Sequence, residues 1–212
     1  MGAHGMMVTK IEEINNKKVR VFIDNEFAFV LYKGELRLYK VKEGEEICDE
    51  AYSEIVEKVL PKRAKLRCMN LLKARAYTEK QLRDKLLQGE YTEKLIDVAI
   101  GHVKSYGYID DRKYAEDYIA YHMENKNRKR MELDLYRKGI DRKLIGEILD
   151  GMQEEGEVPD EFSMAKKILE KKNYDPETAT NKEKQKISAF LYRKGFDMDI
   201  IRNVLSLDIS SI

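Results

Sequence analysis

Leu135-Tyr136-Arg137-Lys138-Gly139-Ile140-Asp141 returns as Leu191-Tyr192-Arg193-Lys194-Gly195-Phe196-Asp197, 56 positions later (135 to 191) and with one residue changed. Self-similarity at a fixed spacing is the sequence mark of a repeat architecture. A fainter copy, Leu86 to Thr92, stands 49 positions before the first (86 to 135) and aligns without a gap. Around the three copies the apolar residues fall in rows. Leu82, Met131 and Ile187 align, as do Leu86, Leu135 and Leu191 four residues on. Beyond the turn come Tyr91, Ile140 and Phe196, then Ile96, Ile145 and Ile201, then Ala99, Ile148 and Val204. Steps of three and four predict a one-faced helix on each side of every turn.

The turn chemistry agrees. Gly139 and Gly195 stand where a helix ends in a residue of positive φ, which glycine adopts without a steric penalty. Asp141, Asp197 and Thr92 occupy the N-cap position of the next helix. In the first copy Glu90 takes the glycine position, and Gly89, one residue early, is expected to substitute for it.

A further helix precedes each copy. Leu66, Met69 and Leu72 mark the first, within Lys65 to Arg75. Tyr114, Ala115, Tyr118, Ile119 and His122 mark the second, after Asp110-Asp111; Met164, Ala165, Ile168 and Leu169 mark the third, after Pro159-Asp160-Glu161. A unit of three short helices buries too little surface to fold alone, so the units must stack. The expected fold is mainly α: three tandem three-helix repeats (61–108, 109–157 and 158–212) in an elongated curved array.

Residues 1–60 form an N-terminal β-rich extension plus a helix. Val8 to Ile14, Lys18 to Ile23, Phe27 to Leu31 and Leu36 to Val41 change the period from 3.6 to 2. Asn15-Asn16, Asp24-Asn25 and Lys33-Gly34 separate them as turns, predicting a small antiparallel sheet. A helix from about Asp49 to Val59 follows, and Pro61 reads as a hinge into the repeats. Met1 to Gly5 read as an expression remnant before a natural start at Met6 or Met7.

Of 212 residues 37% are charged, yet the formal net charge is only +1, so any attraction to a polyanion must come from local patches. Cys48 and Cys68 have neither metal-ligand spacing nor the pattern of a disulfide framework, which fits a reducing cytoplasm. No membrane-spanning run, phosphate-cradling glycine loop, nucleophile elbow or zinc signature is present. The sequence therefore points to no cofactor and no catalytic residue. Asp110-Asp111 reads as a cap beside a first-turn acid, and His122 as a packed histidine.

Ala76-Tyr77-Thr78-Glu79-Lys80-Gln81-Leu82 and Gly107-Tyr108-Ile109-Asp110-Asp111-Arg112-Lys113-Tyr114-Ala115-Glu116-Asp117-Tyr118, with the Lys-Gly-Ile/Phe turns, resemble the RecX family over about residues 62 to 207. The resemblance implies a non-enzymatic, cytoplasmic, monomeric regulator built of three tandem three-helix repeats. It implies binding along the groove of the RecA–DNA filament, opposing filament extension, ATPase, strand exchange and coprotease activity. Recombination, DNA repair and the SOS response would be modulated in this way. Gly107, Tyr108, Asp110 and Tyr114 read as a turn, a cap and core packing.

Binding residues must then be argued from charge. One cluster is Lys62, Arg63, Lys65, Arg67, Lys73 and Arg75, an acid-free run after residues 43–57, which hold seven acids and no base. Another is Lys126, Arg128, Lys129 and Arg130, which the helix dipole cannot explain because helix starts favour acids. The turns Arg137-Lys138 and Arg193-Lys194 form a third, and Lys166, Lys167, Lys171 and Lys172 a fourth. The sequence directs first attention to Arg128, Lys129 and Arg130. Weak direct contact with DNA would accompany contact with RecA; no membrane partner is expected. Two other classes remain open: an autonomous DNA-binding protein using tandem helix-turn-helix units, and a generic helical protein-interaction scaffold.

Overall fold

Alternation between apolar and polar residues along Lys18-Val19-Arg20-Val21-Phe22-Ile23 sends Val19, Val21 and Ile23 to one buried face of a sheet. The computed structural model describes residues 5–154 and 159–206. Most of the expected expression remnant, residues 1–4, lies outside them. Two compact units divide the chain, Met1–Asp110 and Asp111–Ile212.

In the first unit, β1 (Met6–Glu13), β2 (Lys18–Ile23), β3 (Glu26–Tyr32) and β4 (Glu46–Ile47) form an antiparallel sheet in the order β3-β2-β1-β4. Asp24 and Asn25 both take positive φ, 50° and 69°, the two-residue turn that matches strand twist in a tight hairpin. The stretch expected as a fourth strand is instead α1 (Lys33–Leu38). Glu35 decides this locally, accepting the Tyr32 N–H at 2.7 Å across the first turn. Leu36 and Tyr39, three residues apart, then reach the sheet core while Leu38 stays 70% exposed.

Pro61 is not a hinge. α2 (Asp49–Glu54) continues through a π-helical turn, Ile55–Val59, into α3 (Leu60–Ala74). Proline lacks the N–H for an i→i−4 bond and its ring crowds the preceding turn; the widened π turn lies where that conflict falls. Val59 and Leu60 keep right-handed helical angles. Leu60, from α3, and Leu95, from the third helix of repeat 1, join Val21, Phe29 and Leu31 in the core beneath the sheet.

α3, α4 (Glu79–Leu87) and α5 (Glu93–Ser105) make the first three-helix unit; α6 (Asp111–His122), α7 (Arg128–Arg137) and α8 (Arg142–Glu154) the second. α9 (Glu161–Lys171), α10 (Asn181–Arg193) and α11 (Met198–Ser206) make the third. Each has its own core, and the aligned rows fill it: Leu86, Leu135 and Leu191 are all buried, as are Ile96, Ile145 and Ile201. α3 differs from expectation in the face it buries. Ala64 and Cys68 point inward, whereas Leu66 is 54% exposed. Burial pushes the Cys68 thiol up to about 11, so it stays protonated and packs as a small apolar group.

All three turns close alike. Glu90, Gly139 and Gly195 have φ of 60°, 91° and 95°. In each, the residue after the left-handed one donates its N–H back to the aligned leucine: Tyr91 to Leu86, Ile140 to Leu135, Phe196 to Leu191. Gly89 does not substitute; Glu90 itself adopts the left-handed conformation, which costs a residue with a Cβ about 1 kcal/mol. A bidentate ion pair holds it, with Arg20 of β2 donating to both carboxylate oxygens at 2.5 and 2.7 Å. The expected caps divide. Asp141 accepts the Lys143 and Leu144 N–H groups, Thr92 makes no side-chain cap bond, and the Asp197 carboxylate is drawn to Lys129 instead.

The hydrogen bonds from Arg20 hold the Glu90 carboxyl below the usual carboxylate range. Its contribution is therefore complete at neutral pH and fades as pH falls below about 4.3, the unfolded value. Glu90→Gln is expected to lower the urea midpoint at pH 7, with the gap to wild type narrowing on acidification. A gap that stays constant from pH 7 to pH 3 would refute the assignment.

Candidate partner-binding surface

The four cations around the start of α7 are all engaged inside the second unit. Lys126 donates to Asp134 at 2.9 Å and to the Tyr118 hydroxyl at 2.6 Å. Burial opposes both charges, but these hydrogen bonds outweigh it: Lys126 lies above its ordinary range and Asp134 below. Arg128 spans Glu132 at 3.0 Å and Asp150 at 2.6 Å, Arg130 reaches Asp134 at 3.3 Å, and Lys129 pairs with Asp197 of repeat 3.

The backbone at this helix start is bound across repeats as well. Glu161, opening α9, accepts the Arg128 N–H at 2.9 Å, and burial raises that carboxyl above its usual range. Asn127, only 4% exposed, accepts the Arg130 N–H at 2.9 Å as N-cap and donates to the Lys194 carbonyl at 3.0 Å. The positive φ of Gly195 favours glycine there, and a Cβ would stand 3.3 Å from the Asn127 amide and 3.4 Å from the Lys129 Cβ, so a side chain would press lightly on this joint. The cluster that the charge pattern puts first is thus the joint between repeats 2 and 3. The sequence offers Asn127 no role, and Glu161 only a place at a helix start. Its one visible hint was the spacing of Glu132 and Asp134, each four residues after a basic partner.

The cations of α3 are arranged differently. Arg63 is turned inward, paired with Glu35, donating to the Val30 carbonyl at 3.0 Å and lying 4.7 Å over the Tyr32 ring. Arg75 lies 4.2 Å over the ring of Tyr77. Lys62, Lys65, Arg67 and Lys73 have no carboxylate partner among the described residues. The acids of residues 43–57 do not neutralise these four: Glu43 accepts the Ile11 N–H, Glu45 pairs with Lys42 and Glu54 with Lys58. Lys62, Lys65 and Lys73 share the outward side of α3 with Leu66, opposite buried Ala64 and Cys68, along about 16 Å of helix.

At the turns, Arg137 and Arg193 are exposed, while Lys138 lies over the Tyr114 and Tyr118 rings and Lys194 over Phe190. His122 packs on Tyr118 and Tyr121, and burial lowers its pKa. At the end of α5, Gly107 supplies a positive φ of 67° and Ile109 is buried. Tyr108 is not core: it is 51% exposed and stacks on Tyr106 with centroids 5.7 Å apart.

Family models described as the first and the third three-helix domain of RecX match residues 64–102 and 159–205. A regulatory protein RecX from Caldanaerobacter subterraneus subsp. tengcongensis is 30% identical over 204 residues, covering 95% of this chain and 100% of the relative. The chain belongs to the RecX family. The RecX regulatory protein of Clostridioides difficile is 31% identical, with 94% of each chain covered. Among solved structures, RecX from Lactobacillus salivarius superimposes with a TM-score of 0.58 at 26% identity, over 69% of this chain and 95% of its own. Another RecX crystal structure shares the fold with a TM-score of 0.61 at 21% identity, covering 94% and 98%. The mainly helical fold, its three-helix units and the small β segment are those of RecX regulatory proteins.

Asn127→Ala removes both a cap and a bond between repeats from a buried site, and is expected to cost about 1–2 kcal/mol. Urea denaturation followed by circular dichroism measures it. An unchanged midpoint would show that this joint contributes nothing.

Proposed function

We propose that the chain binds the RecA–DNA filament and inhibits its extension, ATPase, strand exchange and coprotease activities, so modulating recombination, DNA repair and the SOS response. It acts as a cytoplasmic monomer without a cofactor or a catalytic residue. Three repeats, 61–108, 109–157 and 158–212, follow an N-terminal extension of residues 1–60. Membership of a family of regulatory proteins supports the reading. The observation that carries it to a surface is a set of four cations on α3, set apart from the paired Arg63, that meet no carboxylate among the described residues. Lys62, Lys65, Arg67 and Lys73 keep their charge available for DNA phosphates or for acidic protein surface, with Leu66 an apolar contact among them.

The reading is tested by RecA ATPase on single-stranded DNA, with the chain present below one copy per RecA. Inhibition that rises with dose is expected. Replacing Lys62, Lys65, Arg67 and Lys73 together by Glu should raise the half-inhibitory concentration at least about tenfold, 1.4 kcal/mol spread over four contacts. The helical circular dichroism should be unchanged. Undiminished inhibition by the fourfold variant would remove α3 from the interface, and no inhibition by the wild type would sink the reading.

A further inference from the structure

The third repeat departs from the other two between its first and second helices. The connecting segment is four residues in repeat 1 (75–78) and five in repeat 2 (123–127), but nine in repeat 3 (172–180). The second helix also begins one turn earlier. Its N-cap Thr180 lies eleven residues before Leu191, against eight from Thr78 to Leu86 and from Asn127 to Leu135.

The longer segment, the added turn and the end of α9 enclose a groove of about 730 Å³, a volume within the range of small-ligand sites. Lys171, Lys172, Lys186 and Arg193 open on it, and none pairs with a carboxylate among the described residues. The two acids on its wall accept hydrogen bonds from the connecting segment. Asp175 accepts the Glu177 N–H and the Thr178 hydroxyl, and Glu183 accepts the Thr180 N–H and hydroxyl. Ile187 and Phe190 give the groove an apolar side, with the Lys172 ammonium 4.2 Å from the Phe190 ring centroid. Tyr174 is also in the lining, and its hydroxyl is buried without a hydrogen-bond partner among the described residues, which costs free energy until an acceptor arrives.

We propose that this groove binds single-stranded nucleic acid, with Lys171, Lys186 and Arg193 on the phosphates. Cations beside an aromatic and aliphatic wall match the repeating unit of that polymer, a charged phosphate next to an apolar face. The space suits one or two nucleotides and is too small for a duplex. A phosphate oxygen is the acceptor that Tyr174 lacks. The proposal deepens the filament reading by giving repeat 3 its own polymer contact, and it is tested separately.

Fluorescence anisotropy of a labelled single-stranded oligonucleotide with the full chain provides the test. Lys186→Glu with Arg193→Glu, both exposed, should weaken binding at least about tenfold. The variant should also flatten the log-affinity against log-salt slope by about 1.4, from 0.7 per single-strand phosphate. Tyr174→Phe keeps the ring and should weaken binding several-fold with no loss of melting temperature. Three outcomes overturn the proposal: wild type that does not bind the oligonucleotide, a double variant that binds as wild type does, or a labelled polyglutamate of equal charge that binds as tightly. Binding lost in the double variant supports the groove whether or not inhibition of RecA survives. Binding retained overturns it whatever the variant does to RecA.

Discussion

A single left-handed residue closes each helical triplet. At Glu90, Gly139 and Gly195 the chain leaves one helix and enters the next through a positive φ, and the following N–H returns to Leu86, Leu135 or Leu191. That bond fixes where the second helix ends and at what angle the third departs. Only with that angle do Leu86 and Ile96, Leu135 and Ile145, or Leu191 and Ile201 meet in one core. Burial of such side chains contributes about 1.5–3 kcal/mol each, so the turn decides whether the hydrophobic gain of a triplet is realised. Glycine makes the conformation cheap in two copies. In the first the sheet intervenes, and Arg20 clamps a residue that the backbone alone would disfavour.

Charge is distributed by the same economy of position. The start of α7 concentrates Arg128, Lys129 and Arg130 where the helix dipole repels cations. Glu132, Asp134, Asp150 and Asp197 answer them, so the charges of this positive segment are paired within its own protein. For Lys62, Lys65, Arg67 and Lys73 on α3, and for the cations around the groove of repeat 3, no such answer is given among the described residues. With forty basic and thirty-nine acidic residues the whole molecule exerts little field, and these local surpluses carry whatever attraction it has for anions.

The helical rows were legible because burial within a triplet depends on spacing alone, and the glycine turns because positive φ leaves a compositional trace. Other features turned on neighbours distant in the chain or on local competition. Asp150, Glu161 and Asp197 lie 22, 33 and 68 residues from the α7 groups they meet, beyond any periodic pattern. The alternation of Leu36, Arg37 and Leu38 imitates a strand, yet Glu35 and the pairing of Leu36 with Tyr39 make a helical turn. Pro61 carries the usual sign of a break, which a π turn just upstream overrides. Tyr108 belongs to the most family-specific segment and still stands at the surface, since Ile109 beside it takes the buried place.

The run from Asp49 to Ala74 acts as a strut shared by sheet and first triplet. Because Leu60 and Leu95 are roofed by the strands, the two parts own one greasy seam in common. Trimming the chain at Pro61 would not release a tidy module. It would bare that seam to water and take away the guanidinium that steadies Glu90, leaving a sticky fragment whose first corner has lost its brace.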